Sequence, residues 1–97
     1  MTEPIYRTNG TYLGFISNGF IFSRDGQYLG WIDGQHAWDA AGRFRGQRWN
    51  KKYIILNRFA VQPLPKHPRG TPATPALPDP PPNISPIAPP TGWVDGF

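Results

Sequence analysis

Gly10-Thr11-Tyr12-Leu13-Gly14-Phe15-Ile16 returns sixteen residues later as Gly26-Gln27-Tyr28-Leu29-Gly30-Trp31-Ile32. A further sixteen residues on, the frame reads Gly42-Arg43-Phe44-Arg45-Gly46-Gln47-Arg48. The residues before it keep the same offset: Ile5-Tyr6, Ile21-Phe22, Ala37-Trp38 and Tyr53-Ile54. A fixed internal period is the sequence mark of a repeat architecture. Each unit is two short apolar runs around a turn signal. The turns are Thr8-Asn9-Gly10, Arg24-Asp25-Gly26 and Ala40-Ala41-Gly42. Asn-Gly and Asp-Gly between β-rich runs are strong hairpin signals, because both tolerate the positive φ of a type I′ turn. The flanking residues are aromatic and β-branched, which suits a pleated surface.

The reading is therefore all-β: four sequential hairpins of about sixteen residues with pseudo-four-fold symmetry, turning near Asn9-Gly10, Asp25-Gly26, Ala41-Gly42 and Asn57-Arg58. Gly14, Gly30 and Gly46 each sit inside a strand, where glycine marks a bulge or a close backbone approach. Whether they only permit a bend or stand where the units converge is open at this stage. The fourth unit departs from the pattern. Ala60, Gln62 and Pro63 stand where the earlier units carry an aromatic, a glycine and often an aromatic.

The hairpin count, the period and the Tyr-Leu-Gly-aromatic-Ile motif at 12–16 and 28–32 resemble those of the four-fold β-flower domain family. The resemblance runs from Ile5 to about Val61, and the proline-rich tail with its terminal aromatics fits it too. It implies a small bacterial or phage-associated module of four β-hairpins. It implies no general activity.

The 97 residues divide into a hairpin domain over 1–62 and a proline-rich tail over 63–97, with Met1 to Pro4 as a short lead-in. A chain of about sixty residues buries only about 60% of its unfolded surface. No cysteine is present, so no disulfide or thiolate–zinc site staples it. A homo-oligomer, or a tail that packs back onto the hairpins, is the expected remedy. The N-terminus lacks a signal-peptide pattern and no run is long enough to span a bilayer, so a cytoplasmic protein without membrane contact is expected.

From Ala40 to Val61 the chain holds no acidic residue. Arg43, Arg45, Arg48, Lys51 and Lys52 fall there beside Trp49, and His36 and Trp38 lie just before. Arginine offers a planar fork for phosphate, and Trp or Tyr a stacking surface. These eight residues are the candidate ligand-binding set. The competing reading is a charged edge that keeps strands from pairing between molecules. His36 and Asp39 are three apart and so face opposite ways in a strand, and neither a phosphate loop nor a triad order occurs. No catalytic residue, metal or cofactor is expected.

The expected function is non-enzymatic: sequestration or sensing of a small anionic ligand, most plausibly a nucleotide or cyclic-nucleotide signal. A phage counter-defence sponge fits by analogy. The alternative is a protein-interaction adaptor working through the tail. Single-stranded nucleic acid is a third, less favoured partner, and its binding would depend strongly on salt. The net charge of +4 favours an anionic partner without choosing among them.

Twelve of the thirteen prolines lie from Pro63 onward, so that segment should be extended and polyproline-like. It ends Gly92-Trp93-Val94-Asp95-Gly96-Phe97, which repeats Gly30-Trp31-Ile32-Asp33-Gly34 with one conservative change. The fourth unit lacks that pattern. Trp93, Val94 and Phe97 are therefore expected to anchor the tail in the groove left there, in cis or on another subunit.

Overall fold

Three turns set the architecture, and they repeat with the sequence period. Gly10, Gly26 and Gly42 donate their N–H groups to the carbonyls of Arg7, Ser23 and Asp39 at 2.9, 3.0 and 2.9 Å. Arg7, Ser23 and Asp39 in turn donate to Thr11, Gln27 and Arg43. These are three-residue hairpin loops in which only the glycine takes a positive φ, of +90°, +87° and +89°. The expected type I′ geometry is thus corrected in kind though not in place. The three-residue form also explains the third turn, since Ala41 need not adopt positive φ. A type I′ turn does occur, between units, at Asn18-Gly19, with φ of 52° and 81°.

The computed structural model describes residues 2–97. Its strands are β1 (Thr2–Tyr6), β2 (Tyr12–Ser17), β3 (Phe20–Ser23), β4 (Tyr28–Asp33), β5 (His36–Asp39), β6 (Phe44–Trp49), β7 (Tyr53–Asn57) and β8 (Trp93–Asp95). They form one sheet in chain order, antiparallel throughout, which a parallel Tyr6–Tyr53 bridge between β1 and β7 closes on itself. Of the expected lead-in, Met1 lies outside the described residues and Thr2–Pro4 belong to β1. No helix long and apolar enough to cross a membrane occurs among the described residues.

Three hairpins follow one another as expected: β1–β2, β3–β4 and β5–β6. The fourth pair is not sequential. β7 pairs with β8, which arrives from the chain end, at Ile55–Asp95, Leu56–Val94 and Asn57–Trp93. The sixteen-residue register also slips before β7. The turns between units enclose two residues after Ser17 and after Asp33, but three after Trp49, where Asn50 and Lys51 both take positive φ. Ile54-Ile55, not Tyr53-Ile54, therefore take the places of Ile5-Tyr6.

Side chains alternate across a strand, and both faces here are apolar. One face gathers Ile5, Ile21, Ala37 and Ile54, with Ile16 buried among them. The other carries aromatic pairs: Phe15 stacked on Phe22 at 5.4 Å and Trp31 on Trp38 at 6.5 Å. Where units meet, Gly14 and Gly30 lie against the carbonyls of Phe22 and Trp38, leaving no room for a Cβ. Close backbone approach, rather than bending alone, is what those glycines provide.

Candidate functional site

The aromatic pairs repeat along the sheet, and at the third junction the repeat breaks. Phe15 faces Phe22, and Trp31 faces Trp38, but Gln47 faces Ile55. Two rings are replaced by one amide and one aliphatic chain. A cleft of about 270 Å³ opens at that point. Phe44, Gln47 and Ile55 lie along it, with His36 and Trp93 on its walls. Residues 60–63, the start of the tail, pass over it, and Asn57 marks their point of departure. His36 meets Phe44 edge to face at 5.4 Å. Among the described residues, none that lines it is an Asp, Glu, Lys or Arg.

The eight residues expected to bind a ligand are not brought together. His36 lines the cleft. Trp38 is buried in its stack with Trp31, under the Lys66 ammonium at 4.8 Å. Arg45 stands at the repeat position of Leu13 and Leu29. It donates from Nε to the Gly96 carbonyl at 2.6 Å, pairs with Asp39 at 3.5 Å and lies over the Phe97 ring. Arg48 stands where Ile16 and Ile32 stand. It pairs with Glu3 at 3.0 Å and donates to the Lys51 carbonyl, while its Nε is buried without a partner. Trp49 packs on Tyr53. Arg43, Lys51 and Lys52 are exposed, the two lysines in the turn before β7. Two of the cations thus hold the asymmetric third unit together, and none faces the cleft.

The tail is part of the site because it roofs it. Residues 61–92 contain neither helix nor strand. Over 72–87 every third residue is half-buried: Pro72, Pro75, Pro78, Pro81, Ile84 and Ile87. Three residues per turn is the period of polyproline II. The tail passes the units in reverse order. Lys66 donates its N–H to the Gly42 carbonyl at 2.8 Å. Leu77 and Thr74 lie at Gly26. Ile84 donates to Gly10 at 3.0 Å and Ile87 to Thr8 at 2.7 Å. Lys66 and Arg69 reach Asp33 at 2.7 and 3.9 Å, and Arg69 covers the Trp31 ring. The Lys66 hydrogen bond, with the neighbouring cations, holds the Asp33 carboxyl below its ordinary range.

Trp93 pairs within β8 and Val94 is partly exposed. Gly96 donates its N–H to Ile54 at 3.0 Å, and Phe97 packs with the aliphatic cluster. Asp95 accepts from Thr8 N–H at 2.8 Å and Thr8 Oγ1 at 2.9 Å. The internal copy is offset from its expected alignment. Gly92 has φ +88°, like the turn glycines Gly10, Gly26 and Gly42, and Gly96 sits opposite Ile54 as Gly30 sits opposite Ile21. The matching frame is Gly92-Trp93-Val94-Asp95-Gly96-Phe97 on Gly10-Thr11-Tyr12-Leu13-Gly14-Phe15. That frame exposes Gln47 as the residue at odds with Phe15, Trp31 and Phe97, a signal present in the sequence. So was a nine-residue spacing in the tail, Pro63, Pro72, Pro81 and Pro90. The first three border successive units, beside Phe44, Phe22 and Tyr12.

Among known proteins, the family model of the 4-fold beta flower protein matches residues 2–95, so both the strands and the tail fall within it. No curated protein and no solved structure gives a match.

Proposed function

The chain belongs to the 4-fold beta flower protein family, and from the cleft in that fold we propose a non-enzymatic binding protein that sequesters or senses a small nucleotide-like ligand. The observation that carries the proposal is the break in the aromatic repeat at Gln47 and Ile55, which opens a cleft roofed by the tail. Its volume of about 270 Å³ lies just under the range of small-molecule sites, about 300–1,000 Å³. Apolar walls with a few polar groups are the usual make-up of such sites. The net charge of +4 adds only a weak, salt-screened attraction for an anion, since no charged side chain among the described residues lines the cleft. A cyclic-nucleotide signal and a phage counter-defence sponge remain readings of the same site by analogy.

Native mass spectrometry of protein purified from expressing cells, followed by calorimetric titration with linear and cyclic nucleotides, tests this reading. We expect a retained or titratable ligand, bound about tenfold more weakly by Phe44→Ala. Neither a retained ligand nor binding by any of the panel would overturn it.

The adaptor reading now has a narrower basis, because the tail is laid along the sheet. The most exposed large apolar residues are Phe59, Val61 and Leu64, where the chain leaves β7 and enters the tail, at 79, 98 and 85% exposure. Between Arg58 and Lys66 this run carries no charge, so we propose it as the contact for the expected homo-oligomer. Two copies of like charge can meet there without repulsion. A monomeric mass by light scattering at high concentration would exclude that contact.

A further inference from the structure

We infer that the cleft beside the third unit recognises an aromatic ring, and that the ring enters as the missing member of the protein's own stack. This rests on the reading of the cleft as the binding site and adds what it reads. The junctions between successive units are built alike. At the first, Phe15 stacks on Phe22 with planes 22° apart; at the second, Trp31 stacks on Trp38 with planes 17° apart. At the third, the same two ladder positions hold Gln47 and Ile55. Phe97 has the corresponding place in the tail's copy of the motif, yet it packs against the aliphatic face under Arg45 and supplies no ring here.

The tail tells the same story from above. It crosses the first unit with Pro78 and Pro81 half-buried beside Tyr12 and Phe15. Eighteen residues earlier, Ala60 and Pro63 cross the third unit, and both are exposed. The path is the same and Phe44 keeps the place of Tyr12, but Gln47 stands where the first unit has the Phe15 ring. A planar ring of one or two cycles replaces what Phe15 and Trp31 supply elsewhere. Ile55 lies beneath it, Phe44 and Trp93 stand beside it, and the Gln47 amide offers one donor and one acceptor to a heteroaromatic edge. Rings meeting such walls prefer offset or edge-to-face contact. With no charged lining residue, the phosphate of a nucleotide stays outside and contributes little to selection.

The test uses the full chain and titrates adenosine, guanosine, uridine, adenosine monophosphate, indole and ribose 5-phosphate, followed by calorimetry and by NMR shifts of the Trp93 indole N–H. We expect at least one nucleoside or indole to bind and ribose 5-phosphate not to bind. Adenosine and its monophosphate should agree within about fivefold, and the affinity should change little between low and high salt. Gln47→Trp, which puts a ring back at that ladder position over Ile55, should abolish ring binding and leave the melting temperature equal or higher. Ile55→Phe serves as a second plug should the first variant fold poorly. Binding that needs the phosphate, or no binding by any ring at millimolar concentration, overturns ring recognition while leaving the cleft as a site for another ligand. Unchanged binding in both plugged variants removes the cleft as the site and overturns this inference, while the proposed function stands or falls by the nucleotide titration.

Discussion

Glycine is used in three physically distinct ways, and substitution by alanine separates them. Gly30 lies where any Cβ would run into the Trp38 carbonyl, with backbone on the far side that cannot yield. Gly34 has open space around it but φ of +65°. Gly70 has open space and no positive φ. Gly30→Ala should therefore cost more than about 3 kcal/mol or prevent folding, as forced backbone shifts do. Gly34→Ala should cost about 1–2 kcal/mol, the strain of a left-handed L-residue. Gly70→Ala should be neutral or stabilise by about 0.4–1 kcal/mol through the unfolded chain. Thermal melts of the three variants check the order, and a Gly30→Ala protein as stable as Gly34→Ala would refute the close-approach account. The turn glycines were legible from their neighbours. The strand glycines were legible only as an unexplained regularity, because a steric wall supplied by a unit sixteen residues away has no local trace.

At the scale of elements, β8 and the Asp33 contact fix the tail at its two ends. β8 is three residues long, and side chains reinforce its short ladder with β7. Trp93 packs against the cluster of Tyr6, Tyr12, Tyr53 and Ile55, and Asp95 receives two hydrogen bonds from the buried Thr8. Truncation after Pro90 removes all of this and leaves the β7 edge bare. We expect a lower melting temperature, with Trp93→Ala alone losing up to about 3 kcal/mol of burial. Equal melting of the truncated and intact chains would argue against a structural β8. At the other end, the Asp33 carboxyl is depressed by the hydrogen bond from Lys66. A depressed folded-state value contributes stability that is present above the unfolded value and lost as pH falls through the folded one. The contact should thus be intact at neutral pH and released only in acid, below the ordinary aspartate range. Release uncovers the Trp31 and Trp38 rings, so acrylamide quenching of tryptophan should rise at acid pH in the wild type. In Asp33→Asn it should already be higher at neutral pH. A flat quenching profile in both proteins would show that the charges do not hold this part of the tail. The sequence showed that a terminal segment copies the motif, since both its glycines and its aromatics survive. The exact frame lies four residues from the expected one, with Gly92 in the turn place of Gly26 and Gly96 in the strand place of Gly30. The one-residue insertion at Asn50-Lys51-Lys52 separately moves Ile54-Ile55 into the places of Ile5-Tyr6. Arg45 and Arg48 read differently by composition and by repeat position. Composition marks them as a basic surface, whereas their repeat positions are those of Leu13 and Ile16.

On the scale of the whole molecule, the tail is a belt fitted to a repeating surface. The body measures 37 × 35 × 18 Å. From Lys66 to Gly92 a polyproline chain would extend about 80 Å at about 3.1 Å per residue, more than twice the widest dimension. Such a length is too great for a crossing and suits a path around the units. The path works because two periods agree: sixteen residues per unit in the sheet against nine per unit in the tail. Nine is three polyproline turns, so the same face of the tail returns to each unit. That face is the stripe at 72, 75, 78, 81, 84 and 87. Pro80 and Pro82 lie beside it and are exposed. Replacing Pro78 and Pro81 by Asp should therefore peel the tail from the first unit, at a cost of about 1–3 kcal/mol. Replacing Pro80 and Pro82 by Asp removes as many prolines and adds as much charge, yet should change little. Hydrogen exchange of the Ile84 and Ile87 amides reads the difference directly, because their bonds to Gly10 and Thr8 form only while the tail is seated. Fast exchange in the first pair with protection kept in the second is the expected result. Equal exchange in both would mean that the tail lies against the sheet without a preferred face, and the nine-residue agreement would then be accidental.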